Sequence, residues 1–192
     1  MRRRSQAWRD ATYWVLDVET GGLDPARNSI LSVGMVPVRE GVVKVGESFY
    51  SLIRSNADID EESLAVHHIL PGELAGAPAE EEVIAEIDAR VAEGVVVVHF
   101  APVDIPFLRR LYESCGRQWP KPDVVDTAAL AARLDRLSSP LGAEAGDLGT
   151  LRARFGLPRY AAHHALSDAL ATAELFIVLR HHLGARTLRD LT

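Results

Sequence analysis

Asp17 and Glu19 lie two residues apart inside Tyr13-Trp14-Val15-Leu16-Asp17-Val18-Glu19, a run otherwise built of apolar, β-branched and aromatic residues and closed by Thr20-Gly21-Gly22. Such a run predicts a buried strand ending in a turn. Side chains two apart on a strand point the same way, so both carboxylates share a face with Val15, while Leu16 and Val18 fill the other. Acids on a half-exposed strand would be the bland alternative, but this strand carries apolar residues on both faces. Two neighbouring carboxylates repel, and burial raises the cost. No lysine or arginine stands near them in the sequence, so a divalent cation is the economical partner. On its own the pair is a weak signal.

The segments that follow limit the fold. Ser29 to Val38 and Val42 to Ile53 predict two more strands joined at Glu40-Gly41, which makes three antiparallel strands in succession. Asp60-Glu61-Glu62-Ser63 opens a short helix carrying Leu64, Val66 and His67, and Pro71-Gly72 and Gly76-Ala77-Pro78 are breaks. Glu80 to Val91 has apolar residues at 83, 84, 87 and 91, the spacing of one helical face. Val95 to Val98 predicts a fully buried strand. Pro106 is expected in the first turn of the next helix, with Phe107, Leu108, Leu111 and Tyr112 as its stripe. A short strand at Val124-Val125 precedes a helix capped by Asp126-Thr127 and running through Leu137. Asp147 caps a helix reaching Phe155, and the last long helix spans Ala165 to Leu183. Strands first, then alternating helices and strands, imply an α/β domain with one mixed five-stranded sheet and helices on both faces. With 192 residues, a single domain over 12–192 after a disordered tail at 1–11 is expected, with Ser138 to Gly146 as a flexible loop.

A net charge of -6 gives no basic surface of the kind a non-specific duplex binder needs. A metal-bridged nucleic-acid enzyme is not excluded, because clustered ligand acids push the charge negative themselves. The single cysteine, Cys115, rules out an internal disulfide framework and a cysteine-based zinc site. Arg2-Arg3-Arg4 has no apolar stretch behind it, so it is not a secretory signal, and no run of about 18 apolar residues occurs. The expectation is a cytoplasmic protein without a membrane span.

Further along, Asp104 follows the buried strand in His99-Phe100-Ala101-Pro102-Val103-Asp104. Taken singly it reads as a helix N-terminal acid favoured by the macrodipole, yet the end of a parallel strand is also where sites form. His163 and Asp168, five apart, flank the start of the last helix. His164 cannot share the direction of His163. His181-His182 sits near the helix C-terminus, where partly charged imidazoles suit the dipole. A zinc site from these four histidines fails on spacing, because helical zinc ligands normally recur at i, i+4.

Together, Leu16-Asp17-Val18-Glu19-Thr20-Gly21-Gly22-Leu23, Val98-His99-Phe100-Ala101-Pro102-Val103-Asp104-Ile105-Pro106-Phe107-Leu108, and His163 to Asp168 followed by Ala169-Leu170-Ala171-Thr172-Ala173-Glu174-Leu175 resemble the three motifs of the DnaQ-like (DEDDh) exonuclease family. That family includes polymerase proofreading subunits of the epsilon type and RNA-trimming enzymes. The likeness runs from about Tyr13 to Leu183, and Val66-His67-His68-Ile69 is similar to a family stretch that approaches the terminal nucleotide. Phe100, Val103 and His68 stand where the family usually has asparagine, an aromatic residue and glycine. Phe100 either stacks on a base or sugar or fills the core.

The resemblance implies a ribonuclease H-like fold and a 3′-to-5′ exonuclease acting on single-stranded ends through two divalent ions. Asp17 would bridge both ions, Glu19 and Asp168 would complete the tighter site, and Asp104 would hold the second partly through water. Hard oxygen ligands suit Mg²⁺ or Mn²⁺. His163 would be the general base, its unperturbed pKa of about 6.5 lying near neutrality. Backbone N–H groups at Thr20 and Gly21, a Leu23 wedge, His67 and Phe100 would meet the nucleotide. The expected partners are a single-stranded DNA or RNA 3′ end and a DNA polymerase, with no membrane. An RNA-trimming enzyme and a catalytically silent nucleic-acid-binding module on the same fold are the rival readings.

Overall fold

A computed structural model of the chain describes residues 5–55, 59–138 and 146–192. Its centre is a mixed sheet in the order β3-β2-β1-β5-β6, with β4 also paired to β2. The strands are β1 (Tyr13–Thr20), β2 (Ile30–Arg39), β3 (Val42–Val43), β4 (Phe49–Leu52), β5 (Val95–Val98) and β6 (Val124–Asp126). β1 and β2 run antiparallel from Tyr13↔Val38 to Glu19↔Ser32, whereas β1, β5 and β6 are mutually parallel neighbours. The sheet therefore has six strands rather than five. The expected third strand is interrupted by a 3-10 turn at Val45–Glu47, which leaves β3 on one end of β2 and β4 on the other.

The helices are α1 (Glu61–His67), α2 (Pro71–Ala75), α3 (Glu80–Glu93), α4 (Ala101–Ser114), α5 (Thr127–Ser138), α6 (Leu148–Arg154) and α7 (Ala165–His182). Alternation along the strands sends Tyr13, Val15, Val97 and Val125 to one face, where they meet Leu130, Leu151, Phe176 and Leu179 of α5, α6 and α7. Trp14, Leu16, Val96 and Val98 meet Ile84, Ile87, Leu108 and Tyr112 of α3 and α4 on the other. All four residues of the predicted α3 stripe, Val83, Ile84, Ile87 and Val91, are buried. Each such side chain contributes about 1.5–3 kcal/mol by leaving water, so the two layers hold the sheet rigid beneath the site. No helix among the described residues is long and apolar enough to cross a membrane.

Two local expectations are corrected. α4 begins at Ala101, so Pro102 takes its first turn and Pro106 lies inside the helix. Residues 5–11 are not a tail. Trp8 is buried, its N–H donates to the Arg186 carbonyl at 3.0 Å, Ala7 bridges Thr187, and Arg180 lies 4.1 Å from the centre of the indole ring. An indole buries too much apolar surface to remain in water when a groove is at hand. Residues 1–4 lie outside the described residues, as does most of the expected loop, at 139–145.

Candidate active site

β5 pairs with β1 from Tyr13 to Val15, and Asp17 and Glu19 lie beyond that pairing. β5 gives way there to α4, whose first turn carries Asp104. Across the antiparallel seam Asp17 faces Gly34 of β2. A Cβ on Gly34 would stand 2.3 Å from the carbonyl carbon of Ala165 and 2.4 Å from the nitrogen of Leu166. The missing side chain lets α7 start directly against the sheet, one turn before Asp168. Carboxylate oxygens of Asp17, Glu19 and Asp168 then lie within 4.8 Å of one another. Asp104 stands outside that triplet but within electrostatic reach of Asp17.

Gly34 therefore shapes the cluster from a strand that carries none of its acids. Gly34→Val is expected to push α7 off the sheet and lower any turnover that depends on the three converged carboxylates by roughly 100-fold, the cost of an ångström-scale displacement, while far-UV circular dichroism stays near that of the parent. Turnover within threefold of the parent would show that the close approach does not matter.

The electrostatics are those of an uncompensated acidic cluster. Burial, then Asp104, Glu19 and Asp168, hold the Asp17 carboxyl well above the usual carboxylate range. Burial and Asp168 push Glu19 up to about 7, and burial, Asp126 and Glu19 push Asp104 up to about 8. Oδ2 of Asp104 is buried without a hydrogen-bond partner among the described residues. Crowded hard oxygen donors with an orphaned buried oxygen fit a divalent cation. Asp168 differs because its Oδ2 accepts the His163 N–H at 2.7 Å, which orients the carboxylate and fixes the histidine backbone, left-handed at φ 65°, beside it. The His163 side chain is exposed.

The expected nucleotide contacts are partly brought together. Thr20, Leu23 and His67 line one pocket of about 290 Å³ with Val18, Glu19 and Val66. Leu23 is 87% exposed and unpacked. His67 is buried at the end of α1; its Nδ1 accepts from the Ile69 N–H at 3.0 Å, which leaves Nε2 as the ring's donor, and burial, with His68 and His163 nearby, lowers its pKa. The next residue, His68, ends the helix in the left-handed region at φ 57°, where glycine sits without strain. Gly21 is corrected. Its N–H donates to the Ser29 carbonyl at 2.9 Å and its own carbonyl accepts from the Asp60 N–H at 2.8 Å, so its backbone closes the loop instead of facing a ligand. Phe100 stands apart from the pocket, half-exposed and left-handed at φ 72°. It does not fill the core.

Sequence reasoning read Asp126 only as a helix cap. Its carboxylate caps α5 through the Ala128 N–H at 2.9 Å and also accepts the Phe100 and Ala101 N–H groups at 3.0 Å each. It thereby ties the start of α4, and so Asp104, to the end of β6. The signal was available, since Asp126 ends a parallel strand next to the one that precedes Asp104. Gly34 carried a fainter signal, a lone glycine within an apolar strand pattern.

Comparisons with known proteins place the chain in a family. The exonuclease family model matches residues 14–176, which contain all four acids and His163. A DNA polymerase III subunit epsilon-like protein of Rhodobacter capsulatus is 39% identical over 184 residues, covering 92% of this chain and 25% of that protein. A PolC-type DNA polymerase III of Thermotoga maritima is 32% identical over 169 residues, covering 88% of this chain and 12% of that protein. The chain thus spans a quarter or less of the length of these relatives. Among solved structures, E. coli exonuclease I in complex with an oligonucleotide superposes with a TM-score of 0.77 at 17% identity, over 91% of this chain and 42% of that one. Exonuclease X in complex with 5′ overhanging duplex DNA superposes with a TM-score of 0.68 at 23% identity, over 93% and 97% of the two chains. At these identities the superpositions speak for a shared ribonuclease H-like fold.

Proposed function

We propose, because this chain belongs to the exonuclease family, that it removes nucleotides from the 3′ end of single-stranded nucleic acid, with DNA as substrate in a proofreading or repair setting. The observation that carries the reading is the convergence of the Asp17, Glu19 and Asp168 carboxylates, with the buried Asp104 beside them. The names of the relatives, both tied to DNA polymerase III, favour DNA over RNA and suggest a polymerase as partner.

Asp17, Glu19 and Asp168 would hold one divalent ion, and Asp17 with Asp104 a second, Mg²⁺ or Mn²⁺ by the hardness of the donors. Such ions supply an acidified water, a neutralised phosphoryl oxygen and a stabilised leaving oxygen. His163 accepts the proton of the attacking water at its exposed ring, and the Asp168 carboxylate, which takes the His163 backbone N–H, holds that residue beside the cluster. The Nε2–H of His67 donates to the terminal nucleotide. Leu23 and Val66 offer an apolar wall to its base. Phe100 offers a ring face to a second base, a contact that tolerates any sequence.

A strand labelled at its 3′ or 5′ end, incubated with Mg²⁺ or with EDTA, tests the reading. Loss of a 3′ label as mononucleotide in Mg²⁺ alone is expected. Release of a 5′ label first, or turnover in EDTA, overturns it, and faster trimming of RNA than of DNA replaces the substrate assignment. His163→Ala should lower turnover by roughly 10²–10⁴-fold while calorimetric Mn²⁺ binding persists. Binding lost together with turnover would make His163 a ligand rather than the base.

A further inference from the structure

His163 belongs to the segment that connects α6 to α7, outside any helix or strand, and its ring lies in solvent. An exposed base on a free connection would sample many positions. The connection is instead tied down at a distance from the site. Arg152, in the last turn of α6, is 4% exposed. Its guanidinium donates to the Ala171 carbonyl inside α7, to the Pro158 carbonyl at 2.8 Å and to Oε2 of Glu174 at 2.7 Å. It also lies 4.8 Å from the centre of the Tyr160 ring, whose hydroxyl donates to Oε1 of Glu174 at 2.9 Å. Nearer the site, the His163 N–H is held by Asp168, and the His164 ring stacks on Tyr50 of β4 at 4.7 Å and 19°.

A buried guanidinium is costly unless its carboxylate partner, here the part-exposed Glu174, is joined by acceptors for its remaining donors. Here they are satisfied by two carbonyls, one in the helix that carries Asp168 and one in the connection that carries His163. The planar fork of arginine reaches all three acceptors at once, which a lysine ammonium cannot do from one point. We infer that Arg152, Glu174 and Tyr160 form a positioning clamp that fixes the connection relative to α7, and so the His163 ring relative to the carboxylates. None of the three touches the reacting atoms. The inference rests on the reading of His163 as the base.

Arg152→Lys and Tyr160→Phe test it, the second removing only one exposed hydroxyl should the first fold poorly. Each is expected to lower kcat, by roughly tenfold for Arg152→Lys and several-fold for Tyr160→Phe, with KM within about twofold, as loss of alignment dictates. In a His163→Ala background the same substitutions should change turnover by less than twofold, since there is no base left to position. Equal losses in both backgrounds, or a loss confined to KM, would overturn the clamp and leave the exonuclease reading intact. Hydrogen exchange gives a measure independent of activity. Amides of residues 157–164 should exchange faster in both variants while those of α7 stay protected, and unchanged exchange would also overturn the clamp. A parent that trims no strand at all removes the base reading, and the positioning role with it.

Discussion

Asp17→Asn should abolish hydrolysis, a loss of roughly 10³-fold or more, in a protein that is more stable than its parent when metal is withheld. The two halves have one cause. Asp17 stands where the fields of Asp104, Glu19 and Asp168 meet, and every charge that acts on its carboxyl raises its pKa. Asparagine keeps the shape of the side chain, removes the charge at the centre of that repulsion and adds a donor where three acids offer acceptors. Without a cation the cluster relaxes, and the melting midpoint in EDTA at pH 8 should rise by several degrees. With Mg²⁺ present the same substitution removes the carboxylate shared between the two proposed ion positions. A structural acid would behave in the opposite way, its loss lowering the midpoint and leaving turnover within tenfold. Either of those results would take Asp17 out of the centre of the reaction.

Much of this arrangement was legible because it is written in local periodicity. The alternation through Tyr13–Glu19 placed two acids on one face, and the 83, 84, 87, 91 spacing of α3 marked a buried stripe, both as found. Where distant segments meet, local pattern had nothing to say. The split of the third strand depends on which end of β2 each half finds. The burial of Trp8 depends on Arg186 and Thr187, remote in sequence, whose backbone receives residues 7 and 8. Nothing near Gly34 in sequence announces that the start of α7 rests on it. Gly21 looked available until its N–H was found on Ser29. The burial of Arg152 is not legible, because a buried arginine cannot be told from an exposed one by its neighbours in sequence. In the site, then, the candidate acids were readable from sequence and what positions them was not.

The metal-free protein should lose stability as pH rises, and a divalent cation should cancel that loss. A carboxyl with a raised folded pKa is easier to protonate in the native state than in the unfolded chain, so the native state binds the extra proton between the two values. Its contribution is most favourable below the ordinary carboxylate range and is lost as pH climbs through the folded value. For this cluster the window runs from about pH 4 to the values of about 7 for Glu19 and about 8 for Asp104. For Glu19 alone the full shift corresponds to roughly 3 kcal/mol, or on the order of 6–12 °C in a domain of this size. His67 and His99 oppose the trend. Burial lowers their pKa values, so they add stability as pH rises toward 6.5. Asp147 and Asp190, lowered by backbone N–H groups, act only in acid. The decisive quantity is therefore the difference in melting midpoint between saturating Mn²⁺ and EDTA, taken at pH 5.5 and at pH 8, in which groups remote from the cluster largely cancel. Ordinary exposed carboxylates are already ionised at pH 5.5 and would bind the ion nearly as well there as at pH 8. Acids that must first shed a proton give an increment that grows with pH, by at least several degrees across this interval. An increment that is flat or shrinks would mean that Glu19 and Asp104 do not meet the cation.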